Sequence, residues 1–248
     1  MGEWIQMGKR RFFSILVALA LVVVPWGASL REETATVATD GAARLPAGEK
    51  YIALTFDDGP KAGTTDVLLD GLAERRASAT FFLIGRQIPG NEALVERMAA
   101  EGHQVGNHTW NHARLTEATA EIIAQELGQT DQLLQSLLGP GEYWVRPPYG
   151  GVTAGTEAAV GVPMVKWSVD PRDWESLNTD KVVQAVLDTV QPNSIILLHD
   201  IYPTSVEAAL RLVDLLRQEG YQFVTVRELL ALNGITPKAG VLYCSGNP

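Results

Sequence analysis

Two histidines and two aspartates are the residues of this sequence best suited to chemistry. His108 and His112 are four residues apart, a spacing that on a helix places both imidazoles on one face, where they converge on one cation. Structural histidine pairs at this spacing are also common, so the pair alone is a weak signal. Because Thr109 stands where the zinc-protease motif carries a glutamate, a third ligand and a base must come from elsewhere in the chain.

The segment TFDDGP (55–60) supplies both missing groups. Asp57 and Asp58 follow an apolar run and precede a Gly-Pro turn, so we expect the two carboxylates to point in different directions. One of them binds the metal in this interpretation, while the other stays free as a base. A solvated turn is the alternative for either aspartate. It does not explain why the pair, like His108, follows a predicted strand and so faces the same edge of the predicted sheet.

The elements that position these residues follow from the alternation of apolar runs and amphipathic segments. Predicted strands cover residues 51–56, 80–84, 104–106, 143–146, 164–169, 194–198 and 222–225. Predicted helix faces comprise Val67, Leu68 and Leu72; Leu94, Val95 and Met98; Ile122, Ile123, Leu127, Leu133, Leu134 and Leu137; Val182, Val183, Val186 and Val190; Ala209, Leu212, Leu215 and Leu216; and residues 226–232. This order predicts an α/β fold, a distorted parallel (β/α) barrel of about seven strands.

Polar residues collect where the predicted strands end. They are Asp57, Asp58, His108, Arg146, Asp170, Asp173, His199 and Asp200. The carboxyl ends of parallel strands form one rim, where active sites are built in such folds. Charged residues in a solvated loop would explain the polar residues at the end of any one strand, but not their presence at the ends of five strands. We expect His103 to be structural, Asp200 to cap the next helix, and Asp170 to be either structural or part of the site.

Composition and the first residues bound the function further. The chain has 248 residues and a net charge of −9, and this acidic charge disfavours a nucleic-acid-binding face. It has one cysteine, Cys244, so an intrachain disulfide is excluded. Three basic residues (9–11), a 13-residue apolar run (12–24) and small residues (27–29) are typical of a secretory signal. We expect residues 1–29 to be a signal peptide or an uncleaved anchor, 30–50 a flexible spacer, and the protein to act outside the cytoplasm, secreted or tethered at the envelope.

The sequence resembles polysaccharide deacetylases of carbohydrate esterase family 4. Five segments carry the resemblance in order: TFDDGP (55–60), HTWNH (108–112), RPPYG (146–150), DPRDW (170–174) and LLHD (197–200). The first two together are highly specific, and the match runs over about residues 51–232. The resemblance therefore implies a catalytic domain over residues 51–235 and a short tail over 236–248.

The resemblance also assigns roles. Asp58, His108 and His112 would hold one divalent cation, zinc first, with cobalt, manganese or iron as alternatives. The catalytic residues implied are Asp57 as general base, Arg146 holding it, His199 as general acid and Asp173 orienting His199. For the substrate, the backbone N–H near Tyr149 would stabilise the oxyanion, and Trp174 and Leu197 would wall the pocket for the acetyl methyl group.

The function implied is metal-dependent removal of N-acetyl groups from N-acetylglucosamine residues of an extracytoplasmic polysaccharide, peptidoglycan first and chitin oligomers next. O-deacetylation of xylan-type esters remains open, because the same water attacks either acyl carbon. A non-catalytic homologue that binds cell-wall glycan is the third interpretation, and the complete set of base, acid and arginine argues against it. Oligomeric state is not indicated by the sequence.

Overall fold

The computed structural model describes residues 49–247, so the predicted signal segment and all but the last two residues of the predicted spacer lie outside the described residues. This part of the chain contains seven strands and eight α-helices. The strands are β1 (Lys50–Asp57), β2 (Thr80–Leu83), β3 (Gln104–Asn107), β4 (Met164–Val165), β5 (Ile195–His199), β6 (Tyr221–Phe223) and β7 (Leu242–Tyr243). The helices are α1 (Thr65–Glu74), α2 (Glu92–Ala100), α3 (Ala120–Leu138), α4 (Ala154–Ala159), α5 (Asp173–Ser176), α6 (Thr179–Leu187), α7 (Pro203–Gln218) and α8 (Val226–Leu232).

Strand β1 is the centre of a parallel sheet. Its first half pairs with β6 and its second half lies between β2 and β5, while β3 continues the sheet beyond β2. Single bridges then lead from Asn107 to Val145, from Val145 to Met164, and from Val169 to Ile196. The predicted α/β fold with a parallel sheet is confirmed. Where these single bridges replace full strands, the hydrogen bonding between neighbouring strands is interrupted.

Two predicted strands are shorter than expected. Residues 143–146 contribute one bridging residue, Val145, and 164–169 contribute the two residues of β4 and a later bridge at Val169. Pro147 and Pro148 follow the first segment directly, and proline has no N–H to donate to a ladder. Strand β4 pairs instead with β7, which lies inside the predicted tail.

The helices pack their predicted faces against the sheet, with two exceptions. Val67 and Ile122 are 51% and 47% exposed, whereas Leu68 and Ile123 are buried. At 100° per residue, the buried side chains of α1 and α3 cluster within about 100°, and Val67 and Ile122 each lie 100° before the buried residue that follows them, outside the cluster. The sequence-based assignment of Val67 and Ile122 to the core is therefore wrong. Val190 is buried but lies beyond the end of α6.

Polar caps mark where several helices begin. The Thr119 hydroxyl accepts from the backbone N–H of Ile122 at the start of α3, and Thr225 forms a capping box with Glu228 at the start of α8. Pro203 occupies the first position of α7, where no N–H is needed. Within residues 49–247, none of the helices has the length and apolar character required to cross a membrane.

Candidate active site

The two aspartates lie at the carboxyl end of the central strand. Asp57 is the last residue of β1 and is in register with Phe82 of β2 and His199 of β5. Asp58 follows with φ of 73°, a left-handed conformation that is uncommon for a residue other than glycine. The chain thus turns sharply between the two residues, and neighbouring carboxylates meet different surroundings.

Asp58, His108 and His112 come together as a potential metal site. Asp58 Oδ1 lies 3.6 Å from Nε2 of each histidine, and the three ligand atoms are within 4.8 Å of one another. Among the described residues, Asp58 Oδ1 is buried and has no hydrogen-bond partner. An orphaned carboxylate oxygen facing two imidazole nitrogens fits a divalent cation of the zinc type.

Burial favours the neutral form of each ligand. It raises the pKa of Asp58, an effect that the nearby His108 opposes, and it lowers the pKa of His108 and of His112. Neutral imidazole is the form that binds a metal, and a cation would replace the proton that burial favours on Asp58. A cation at this site would therefore compete with a proton for Asp58.

The expectation that the two histidines share a helix face is wrong. Residues 108–114 form a loop after β3, in which Thr109 and His112 adopt left-handed φ values of 65° and 61°. Convergence comes from this folded loop, since His108 Nδ1–H donates to the carbonyl of Arg146 at 2.6 Å and leaves Nε2 free. The Thr109 hydroxyl accepts from the backbone N–H of Ala113.

Arg146 is a fully buried cation that holds Asp57. Its Nη1 donates to Asp57 Oδ1 at 2.8 Å and to the hydroxyl of Thr55 at 2.7 Å, and its Nη2 donates to the carbonyl of Lys166. Burial lowers the pKa of Arg146, and the Asp57 carboxylate opposes this effect. With Oδ1 committed to Arg146, Asp57 Oδ2 remains on the side of the metal ligands, 3.6 Å from His108 Nε2.

His199 is paired with a buried carboxylate. Its Nδ1–H donates to Asp173 Oδ1 at 2.8 Å, and its backbone N–H donates to Asp173 Oδ2 at the same distance. Burial alone would lower the pKa of His199, but the Asp173 carboxylate, helped by Asp57 and Asp58, raises it to about 9. The imidazole is thus held in one orientation and in its protonated form near neutral pH.

These groups open onto one cavity of about 370 Å³. Its lining includes Asp57, Asp58, His108, His112, His199, Tyr149, Trp174 and Leu197. Tyr149 is 55% exposed with a left-handed φ of 63°, and its ring packs edge-on against His112 at 4.7 Å. Trp174 is 45% exposed and Leu197 is buried. Eight of the ten predicted site residues line this cavity. The other two are Arg146, which binds Asp57, and Asp173, which binds His199.

Comparison with known proteins identifies the family. A family model described as polysaccharide deacetylase matches residues 44–163. The peptidoglycan-N-acetylmuramic acid deacetylase PdaC of Bacillus subtilis is 38% identical over 73% of this chain and 39% of its own length. A chitooligosaccharide deacetylase of Bradyrhizobium is 39% identical over 64% of this chain and 75% of its own length. The chain belongs to the polysaccharide deacetylase family.

A solved structure agrees with this polysaccharide deacetylase assignment. The family 4 acetyl xylan esterase of Clostridium thermocellum, in complex with a cobalt ion, superposes with a TM-score of 0.75 at 30% identity. The superposition covers 79% of this chain and 98% of the esterase chain. This chain nevertheless spans only about two fifths of the length of PdaC and of the Listeria monocytogenes relatives of similar identity.

The polysaccharide deacetylase cavity also includes two aromatic residues that sequence reasoning missed. Trp167 falls within a predicted core strand, but it follows β4, where the chain leaves the ladder and turns towards the cavity. Tyr202 lies three residues after His199, and only its place just after a rim histidine could have indicated it. Both add to the apolar lining.

Three further polar residues take different places. Asp170 lines the cavity and accepts from the backbone N–H of Arg172. Asp200 does not cap α7, whose N-cap is Tyr202; it is buried against α1, where it accepts from the Thr65 hydroxyl, and burial raises its pKa to about 7. His103 precedes β3, at the opposite end of the sheet, and its Nδ1 accepts from the backbone N–H of Ala79. Its expected structural role agrees with this position.

Proposed function

We propose that this chain is a metal-dependent N-deacetylase acting on N-acetylglucosamine residues of an extracytoplasmic polysaccharide. The observation that carries the proposal is one cavity in which a His-His-Asp triad adjoins an arginine-held carboxylate and a carboxylate-held imidazole. These are the ligands, base and acid that hydrolysis of an unactivated amide requires. Peptidoglycan is the first substrate proposed, and chitin oligomers are the second.

Asp58, His108 and His112 are the residues proposed to hold the cation. When bound, a divalent cation would lower the pKa of a coordinated water and polarise the acetamide carbonyl. Zinc is proposed first because two imidazoles and one carboxylate form a donor set it favours; cobalt, manganese and iron share that preference in part. The cobalt ion in the Clostridium thermocellum esterase complex supports a metal-binding role in this family.

Asp57 is proposed as the general base. Its Oδ2 is the oxygen not engaged by Arg146, and it faces the metal ligands, so it is placed to take a proton from the attacking water. The new C–O bond forms as this proton leaves. Arg146 keeps the carboxylate in place, because a buried guanidinium would be left unpaired if Asp57 turned away.

His199 is proposed as the general acid, with Asp173 as its positioning partner. Because Nδ1–H is committed to Asp173, Nε2 carries the proton that is available to the cavity. Transfer of this proton to the amide nitrogen lets the C–N bond break and releases acetate and a free amine. Without it, the tetrahedral intermediate would expel the incoming oxygen instead.

The remaining proposed roles concern the acetyl group. The backbone N–H near Tyr149 is proposed to donate to the oxyanion, and the side chains of Trp174 and Leu197 to contact the methyl group. The left-handed backbone at Tyr149 supports this role, since strained backbone of this kind collects at active sites and ligand clamps.

The test is loss of acetyl groups from defined substrates. Purified peptidoglycan fragments and chitin oligomers are incubated with the protein, with and without excess chelator, and their masses are measured. We expect acetyl loss from N-acetylglucosamine that stops in chelator and returns with added zinc. Because PdaC is named for N-acetylmuramic acid, each sugar of the fragments is assigned separately. Rates unchanged in chelator would exclude the metal role.

O-deacetylation is the second candidate function, since the Clostridium thermocellum relative is named an acetyl xylan esterase. The two activities differ in their second product, an amine in one case and an alcohol in the other. Parallel assays of amine and acetate release on chitin oligomers and acetylated xylan distinguish them. Acetate release from acetylated xylan, with neither acetate nor amine released from chitin oligomers, would favour the esterase.

An extracytoplasmic location is proposed from residues 1–29, interpreted as a signal peptide or an anchor. N-terminal sequencing of the protein recovered from an exporting host distinguishes cleavage from retention. Retention in the membrane fraction with an intact N-terminus would favour the tether.

A further inference from the structure

Each histidine of the triad is preceded by an asparagine that is bound to helix α3. The Asn107 side chain donates to Asp131 Oδ1 at 2.8 Å and to the Leu127 carbonyl at 3.0 Å. The Asn111 side chain donates to Glu126 Oε1 at 2.8 Å. Two acids of one helix therefore bind residues 107–112, the metal loop, at the positions just before His108 and His112.

Each anchor also fixes the loop backbone. Glu126 Oε2 accepts from the backbone N–H of Asn111 at 2.8 Å, so both carboxylate oxygens hold that residue. Asn107 Oδ1 accepts from the backbone N–H of Thr109, also at 2.8 Å. The contacts thus act on the main chain directly beside His108 and His112.

The loop leaves the strand ladder after β3, and its carbonyls at Thr109 and Trp110 accept from the backbone N–H groups of Gly85 and Arg86. Its residues Thr109 and His112 have left-handed φ values, each of which costs free energy that the surroundings must supply. Helix α3 is suited to supply it: it has 19 residues and packs four of them, Ile123, Leu127, Thr130 and Leu134, into the interior. A well-packed helix therefore holds the residues that precede the two imidazoles.

We propose that Glu126 and Asp131 are positioning residues that set the separation of the two histidine ligands and so tune the affinity of the site for its cation. The proposal rests on the metal role proposed above for Asp58, His108 and His112. It assigns α3 a part in the site, although neither acid lines the cavity.

Glu126→Gln is the main test, and Glu121→Gln is its matched control on the same helix. Glutamine at 126 keeps one acceptor but presents an amide N–H₂ to a second donor of Asn111. Glu121 instead interacts with Thr119 at the start of the helix, and within residues 49–247 it forms no hydrogen bond or ion pair with the loop. Zinc affinity is measured by competition with a chromophoric chelator. We expect roughly tenfold weaker binding in Glu126→Gln, in line with substitutions behind other metal ligands, and wild-type affinity in Glu121→Gln.

Two further variants separate positioning from simple destabilisation. Asp131→Asn keeps an acceptor for Asn107 and should bind zinc within about threefold of wild type, whereas Asp131→Ala should lose roughly tenfold. Asn111→Ala combined with Glu126→Gln should be no weaker than either single variant, because both break the same contact. The melting temperature of each zinc-free variant is compared with the change in affinity.

The outcomes are distinct. Equal affinity of wild type and Glu126→Gln, an equal loss in Glu121→Gln, or losses that multiply in the double variant would each overturn the inference. A loss of affinity that merely follows the melting temperature across all variants would overturn it too. If the unmodified protein bound no divalent cation, the proposed metal role itself would fail, which is a different result from a metal site that α3 does not influence.

Discussion

Asp57 and Asp58 are adjacent in sequence and opposite in surroundings. Asp57 accepts from a buried guanidinium, while Asp58 Oδ1 has no hydrogen-bond partner among the described residues and faces two imidazoles. A carboxylate held by a guanidinium is fixed in place with one oxygen left for proton transfer, whereas a buried carboxylate oxygen that lacks a donor favours a proton or a cation. The left-handed backbone at Asp58 is what separates the two environments.

Asp57→Asn tests this division of roles. Asparagine keeps an acceptor for Arg146 but cannot take a proton, so we expect turnover to fall by about 10²–10⁴-fold while zinc binding persists. Steady-state rates and the zinc dissociation constant are measured on the same preparation, and the melting temperature controls for the charge left on Arg146. Full activity in this variant would remove Asp57 from the mechanism.

Asp173→Asn tests the pairing of His199. The Asp173 carboxylate stabilises the imidazolium, so its neutral replacement lowers the pKa of His199. A general acid is lost as the pH rises through its pKa, and the alkaline limb of the rate profile should therefore move to lower pH. Profiles of kcat against pH for wild type and variant give the answer; an alkaline limb that stays in place would show that another group controls it.

At the scale of elements, the ends of strands were predictable from sequence and the loops between them were not. An apolar run followed by polar residues located the ends of β1 and β5 to within one residue, and α8 has the predicted bounds. The fold of residues 108–112 was not predictable, because it includes two left-handed residues and is held through contacts of Asn107 and Asn111 with α3, which no local pattern indicates. Strand β7 was missed for a similar reason: two residues form a strand only because β4 lies beside them.

Helix α1 offers a test of the corrected helix face. Leu68 is fully buried and Val67 is 51% exposed, although the two are neighbours of similar hydrophobicity. Leu68→Ala should cost about 2–5 kcal/mol of unfolding free energy through lost burial and the cavity left behind, whereas Val67→Ala should change it by about 0.5 kcal/mol or less. Urea unfolding at equilibrium measures both. Similar losses in the two variants would mean that both side chains face the interior.

At the scale of the whole molecule, the site depends on the parallel sheet. The site residues come from the ends of three strands: Asp58 follows β1, His108 follows β3, and His199 ends β5. The distances between them therefore depend on the registers of β1 with β2 and β5, and of β2 with β3. No short segment of the chain contains all three proposed metal ligands. An unfolded chain therefore offers a cation no preformed site, and binding should favour the folded state.

This linkage gives the last prediction, that zinc raises the stability of the whole domain. A ligand that binds only the folded state adds about 2.7 kcal/mol at a free concentration of 100 times its dissociation constant. For a domain of this size that corresponds to a rise in melting temperature of roughly 5–11 °C. Thermal unfolding is followed with zinc and with chelator, and His112→Ala serves as the control because it removes one ligand and leaves the fold's interior intact. A shift of equal size in His112→Ala would place the stabilising cation elsewhere on the molecule, whereas a shift confined to the unmodified protein ties His112 to the ion that stabilises the fold.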